Sequence, residues 1–328
     1  MASESRRGAA AIPLALLGAS DGAVSARRAL ELAAGRRTPV LVFAEPGCRP
    51  KTVAESLHVR TRAGSPFVAV DCGTAGPAEM DARLFGTLSR RTLARDLESI
   101  GANAAIVTAG AGTLFLEDID ELPASAQRRL ARILRDGEVR LAGRKPAVAL
   151  PFRLVASTTR DLDTEVREGR FRQDLLRRFA ACRIVLPPLR QRAGDLAAIV
   201  ERMVAGMGGA PRSFTQPAVT VLAALPWTGN LDELNDVLAK VLGHAGAIVT
   251  QEDVLGHVPI DGAFARLDLT ASLREARRRF ERDYIAAVLE HHQWRMSEAA
   301  RALGIERANL YRKTRQLGIA RVPRAEVS

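Results

Sequence analysis

Over the first 190 residues, short apolar runs alternate with longer stretches of mixed polarity. Val40–Phe43, Phe67–Val70, Leu114-Phe115-Leu116 within Gly112–Ile119, Arg153–Ser157 and Ile184–Leu186 read as strands. Between them, Ala23–Ala34, Thr52–Arg60, Ala82–Ile100 and Ala124–Asp136 read as helices, with apolar residues at helical spacing. Strands that are apolar at successive positions have no solvent face. They predict an α/β fold: a parallel sheet covered by helices on both sides. From Asp195 to Val258 the pattern becomes all-helical, broken at Pro226 and Gly229. A polar, Gly-containing linker follows, then helices over Ser272–His292, Ser297–Leu303 and Arg307–Leu317. The expected units are a disordered tail at 1–12, an α/β core at 13–190 and a helical subdomain at 191–258. A linker at 259–271, an all-α domain at 272–320 and a tail at 321–328 complete the chain.

Composition adds a partner to this picture. The chain has 328 residues, a net charge of +11 and few aromatics, so its core is built from Ala, Leu, Val and Ile. Lys stands only at 51, 145, 240 and 313, and the rest of the positive charge is Arg. Residues 272–324 hold 13 Lys/Arg against 6 Asp/Glu, a concentration that points to a nucleic acid. Cys48, Cys72 and Cys182 are far apart with no CxxC, which excludes a disulfide framework or a zinc site and fits a reducing cytoplasm. Arg6-Arg7 before Ala9–Ala19 has the outline of a short export signal, but Pro13 interrupts it. No apolar run approaches the ~20 residues of a membrane span.

The C-terminal segment carries its own chemistry. Ser297 reads as an N-cap whose hydroxyl accepts from the first backbone N–H groups. Ala299, Ala300 and Leu303 face inward, Gly304 supplies a left-handed turn and Ile305 plugs the core. The next helix buries Leu310 and Leu317 and exposes Arg307, Asn309, Arg312, Lys313 and Arg315. Arg can pair with guanine and Asn with adenine, while Lys or Arg holds phosphates. The stretch "WRMSEAARALGIERANLYRKTRQLGI" resembles the Fis-type helix-turn-helix that ends NtrC-type regulators. The resemblance implies a supporting helix at Ser297–Leu303, a reader helix at Arg307–Leu317, and a homodimer made through Ser272–His292.

Upstream, "SPFVAVDCGT", "GTLFLEDIDELP", "RLVASTTRDL", "EVREGRFRQDLLRRF", "IVLPPLRQRAGDLAAIV" and "LPWTGNLDELNDVL" occur in order. Together they are similar to the AAA+ domain of sigma-54-dependent activators, which implies a nucleotide cleft, with 191–258 as its lid. The family's phosphate loop, GExGxGKE, falls on Ala44–Lys51. Gly47 is kept, but Arg49 replaces a glycine and Pro50 stands where the lysine belongs. Proline brings neither an amine nor an N–H. Lys51-Thr52 lies one place late. The acidic pair after Leu116 is reversed to Glu117-Asp118. Thr159 replaces the sensor asparagine. Asp232 replaces a phosphate-facing arginine of the lid, and a carboxylate there repels phosphate. Arg172 and Arg178 match the two candidate arginine fingers. The family's GAFTGA loop, which touches sigma-54, has no counterpart in Thr87–Thr108.

These residues predict a DNA-binding regulator with no catalytic residues and no metal site, whose AAA+-like domain is a pseudo-ATPase with no required cofactor. Two alternatives remain: a divergent ATP-hydrolysing activator using Lys51-Thr52, Arg172 and Arg178, and a regulator sensing ATP or another nucleotide in the altered cleft. Expected partners are double-stranded DNA, a second copy, and RNA polymerase or another regulator, but no membrane. No receiver domain fits before Val40, so control is expected from a partner, a ligand or protein amount.

Overall fold

The computed structural model describes residues 12–87, 97–142, 147–149, 151–208, 211–258, 278, 281, 282, 285, 289, 294, 296–303, 305–317 and 319. The chain divides into two units, Met1–Val258 and Pro259–Ser328.

In the first unit, five strands form one parallel sheet: β1 Val40–Phe43, β2 Phe67–Asp71, β3 Thr113–Glu117, β4 Arg153–Thr158 and β5 Arg183–Val185. Their order is β2-β3-β4-β1-β5, with Val40 beside Val155 and Asp71 beside Glu117. Period-two alternation distributes the apolar runs to opposite faces. Val40, Val42, Phe115, Val155 and Ile184 join one core, while Leu41, Leu114, Leu116, Leu154 and Ala156 join the other. Each buried aliphatic chain contributes about 1.5–3 kcal/mol.

Helices cover both faces. α1 (Asp21–Ala34) is capped by the Ser20 hydroxyl and buries Ala26, Leu30 and Ala33. α2 (Pro50–Arg62) starts on a proline, whose missing N–H and fixed φ suit a first turn, and buries Val53, Ala54 and Leu57. α3 (Pro77–Phe85) and α4 (Ala124–Asp136) pack in the second core, and α4 ends at Gly137 with φ +70°. The helical subdomain holds α5 Leu196–Met207, α6 Gln216–Ala224, α7 Asn230–His244 and α8 Gln251–Leu255.

Two expectations are corrected. Ala82–Ile100, expected to be mostly helical, is not helical at its far end: α3 ends at Phe85, and Ser99–Ile100 is a short strand beside Arg140–Leu141, while 88–96 lie outside the described residues. Gly86, at φ +72°, breaks the helix, and an added Cβ there would lie 2.7 Å from the Gly101 Cα. The stretch 191–258 is not all-helical either. Ser213–Phe214 and Ile248–Val249 pair in parallel, with Val249 buried in the first core. Both pairs are too short for a period-two pattern to be read. Glu138–Leu141 and Ala147–Ala149 form an antiparallel pair that the sequence pattern also missed.

In the second unit, α9 (Met296–Ala302) and α10 (Arg307–Gln316) enclose a small core of Ile285, Leu289, Ala299, Ala300 and Leu310. Leu303, Ile305 and Leu317 pack against it half-buried. Gly304 and most of the expected helix Ser272–His292 lie outside the described residues.

Candidate nucleotide cleft and nucleic-acid interface

The loop Ala44–Arg49 joins β1 to α2. Gly47 adopts φ +78°, and a Cβ there would stand 2.0 Å from the Gly229 carbonyl oxygen. Only glycine fits, because lid backbone presses on the loop. Leu231 N–H donates to the Gly47 carbonyl at 3.1 Å. The Asn230 amide donates to the Pro46 carbonyl at 2.9 Å and accepts from Leu189 N–H at 2.8 Å. Asn230 is fully buried with φ +52°, a left-handed position that Asn tolerates. Nearby, Trp227 is 2 % exposed and donates its indole N–H to the Leu222 carbonyl at 2.7 Å. Loop and lid are thus tied through backbone groups.

The two altered phosphate-contact positions meet. Arg49, at φ +58°, donates from Nε to Asp232 Oδ1 at 2.6 Å. Where the family pattern has a glycine and an arginine, this chain has an arginine and an aspartate, bonded to each other. Pro50 opens α2, and the Thr52 hydroxyl donates to the Arg49 carbonyl at 2.8 Å. Cys48 N–H donates to the Glu45 carbonyl at 3.2 Å. Burial pushes the Cys48 thiol up to about 11, with the Glu45 carboxylate adding to the effect. Glu45 itself takes two bonds from Arg190, at 2.5 and 2.6 Å, which hold its carboxyl below the usual range.

Glu117 ends β3. Asp118 follows at φ +50° with its N–H donated to Ser157 Oγ at 3.2 Å. The reversed order therefore puts the shorter acid in the left-handed position, where Asp is favoured over Glu. Burial above all, then Asp118 and Asp71, raises the Glu117 pKa, against the opposing charge of Lys51. Burial, then Asp120 and Asp71, raises that of Asp118. Among the described residues, no cluster of His, Cys, Asp or Glu could hold a metal ion.

Thr159 is exposed. The bonded residue at this strand end is its neighbour Thr158, whose buried hydroxyl donates to Asp120 at 2.7 Å. Arg172 is paired with Asp174, two residues on, at 2.7 Å, and Arg178 is exposed. These residues depart from an ordinary Mg²⁺-nucleotide site. Pro50 stands where the family pattern has its lysine, Lys51 follows one place later in the first turn of α2, the helix begins without an N–H, and a carboxylate occupies the lid position.

Sequence reasoning located the cleft but missed Asn230, Glu45 and Arg190. The signal was a Gly-Asn pair at a helix start and the Arg of Pro-Pro-Leu-Arg.

On the reader helix, Arg307, Arg312 and Arg315 are exposed as expected. Asn309 and Lys313 are half-buried, contrary to expectation. Asn309 accepts from Arg312 at 3.0 Å, and Lys313 pairs with Glu281. The Arg307 guanidinium sits 5.6 Å over the Tyr311 ring. Ser297 is exposed but lies within α9, which starts at Met296, so it is a first-turn residue and not the cap.

The parallel order β2-β3-β4-β1-β5, with a phosphate-loop position after β1 and a helical lid, defines an AAA+-type α/β unit. Residues 16–185 match the sigma-54 interaction domain model, and residues 276–317 match that of the bacterial regulatory proteins of the Fis family. The chain belongs to the sigma-54 interaction domain family. It is 31% identical to the regulatory protein LuxO of Vibrio cholerae, over 93% of this chain and 61% of the relative. It is 32% identical to the alginate biosynthesis regulator AlgB of Pseudomonas aeruginosa, over 85% and 62%. The chain thus spans about three fifths of the length of these curated relatives. Among solved structures, NtrX from Brucella abortus in complex with ADP aligns with a TM-score of 0.62 at 28% identity, over 93% of this chain and 69% of that one. RuvB of Thermotoga maritima, at 18% identity and a TM-score of 0.50, shares the fold alone. No helix of the described residues is long and apolar enough to cross a membrane.

Proposed function

We propose that this chain is a cytoplasmic, sequence-specific DNA-binding transcriptional regulator whose AAA+-type unit does not hydrolyse ATP. The observation that carries the reading is the Arg49–Asp232 bond, which joins loop to lid through two positions the family uses for phosphate. A protein–protein contact takes the place of a protein–phosphate one. Exposed Arg307, Arg312 and Arg315 on one short helix supply the charge and donors for DNA. Lacking a GAFTGA loop, the chain acts without remodelling sigma-54 polymerase. It pairs with a second copy through Ser272–His292 and works with RNA polymerase or another regulator.

The test is ATP binding and hydrolysis by the purified chain, with and without Mg²⁺. No binding is expected. Tight binding or turnover overturns the reading. One observation favours a second reading, a divergent ATPase: the charge of Lys51 acts on Glu117 across the cleft. Hydrolysis that disappears in Lys51→Ala would establish it.

A further inference from the structure

The opposite end of the sheet holds a different kind of cleft. The phosphate-loop position follows the C-terminal end of β1. At the N-terminal strand ends, the last turns of α1 and α2 and the start of β4 surround a cavity of about 600 Å³. Five arginines line it: Arg36, Arg37, Arg60, Arg62 and Arg153. No Asp or Glu does.

Arg153 is 3 % exposed, yet its Nε has no hydrogen-bond partner. One Nη donates to the Ala33 carbonyl at the end of α1, at 2.5 Å. Leaving a buried donor of a charged group unmet is costly, and such groups in folded proteins normally have an explanation. Burial, and the nearby Arg62 charge, push the Arg153 pKa down, so an anion beside it would be stabilised.

The plainer account is that these arginines cap helix ends. Arg36 does bond the Ala181 carbonyl at 2.9 Å, and Arg62 bonds that of Ala111. Magnitudes decide against capping as the whole account. Each helix end carries only about half a negative charge, whereas Arg36, Arg37, Arg62 and Arg153 alone carry four positive ones. Every guanidinium also has five N–H donors in a planar fork, so one carbonyl contact does not exhaust it. The cavity is too large for a single tetrahedral anion. Its half-buried Phe152 wall leaves room beside the charged side.

We propose that this cleft binds a small anion carrying two or more phosphate groups, independently of the loop at the other end of the sheet. Inorganic tripolyphosphate is the probe, titrated into the full chain by calorimetry at fixed ionic strength. Saturable binding is expected. Arg36→Ala/Arg37→Ala, two exposed positions, should weaken it about tenfold or more, the loss of one or two charge-assisted contacts. Arg49→Ala and Arg312→Ala/Arg315→Ala should leave it unchanged, which separates the cleft from the altered phosphate loop and from the reader helix. Arg153→Lys, checked for folding by circular dichroism, should weaken it too. The proposal is overturned by any of three results: titration indistinguishable from sulfate, no effect of Arg36→Ala/Arg37→Ala, or loss of binding in the Arg49 or reader-helix variants.

Discussion

Removing the Arg49–Asp232 pair separates what it contributes from what the backbone at Arg49 costs. The bond is short, 2.6 Å, but the side chains are 31% and 59% exposed. Water screens such a pair, so it is worth about 0.5–1 kcal/mol at low salt and less as salt rises. Arg49 also sits at φ +58°, which costs a residue with a Cβ about 1–2 kcal/mol. Alanine keeps that strain and loses only the pair. Glycine loses both, and gives back about 0.5–1 kcal/mol in unfolded-chain entropy. Urea unfolding of Arg49→Ala, Asp232→Ala and the double variant should therefore give a coupling energy of about 0.5–1 kcal/mol. Arg49→Gly should unfold within about 1 kcal/mol of the parent, clearly more stable than Arg49→Ala. A coupling of zero at low salt would refute the claim that this bond ties the lid to the loop. The same positions test the proposed loss of nucleotide binding: Arg49→Gly/Pro50→Lys/Asp232→Arg restores the family residues at three of the departing positions and should bind ATP where the parent does not. Equal affinity in both would refute that argument.

Further outcomes can be checked alongside. Asn230→Ala should destabilise by about 2–4 kcal/mol in urea, because it strands the Leu189 N–H and Pro46 carbonyl and keeps a left-handed φ. Arg312→Ala should weaken specific DNA binding by about 1–3 kcal/mol, read by titration at fixed salt, while non-specific binding changes less. Glu117→Gln should raise the melting temperature near neutral pH. The raised pKa means the folded state favours the protonated acid, so ionisation costs stability above that pKa, and the gain from Gln should shrink as pH falls. His58 has the reverse sign. Burial lowers its pKa, and its ring nitrogen faces Thr113 Oγ1 at 2.9 Å, so the stability from keeping it neutral is present above the ordinary histidine range and lost as pH falls through it. His58→Gln should flatten that acid limb in melts between about pH 5 and 8.

The middle of the sheet was legible because β1, β3 and β4 are buried on both faces. Val40–Phe43 has no polar position, so burial fixes its ends and nothing else fits. α4 was legible for a different reason: Leu130 and Ile133 mark one stripe, and Gly137 closes it. The short pair Ser213–Phe214 with Ile248–Val249 was not legible, since two residues carry no period. The altered phosphate positions could be named from sequence, but their contact could not. Arg49 and Asp232 lie far apart in the chain, and only the turn that Trp227, Gly229 and Asn230 make brings them together. Lys313 shows the converse: a cation on a reader helix invites a phosphate, yet its nearest carboxylate is Glu281 of its own unit.

The lid is tied to the loop by contacts within the polypeptide. Asn230 satisfies one backbone group on each side of the cleft, and Glu45–Arg190 adds a two-bond pair between the loop and the segment before the lid. Neither contact involves a residue that phosphate would need. They lie beside the close approach of Gly47 to Gly229. A loop freed from binding phosphate can tolerate Arg49 at a left-handed position and Pro50 at a helix start. On the proposed reading, those changes remove the phosphate contacts while leaving the first core and the proline-started α2 intact. On that reading the fold is independent of the chemistry, because the contacts between loop and lid are made by the polypeptide itself.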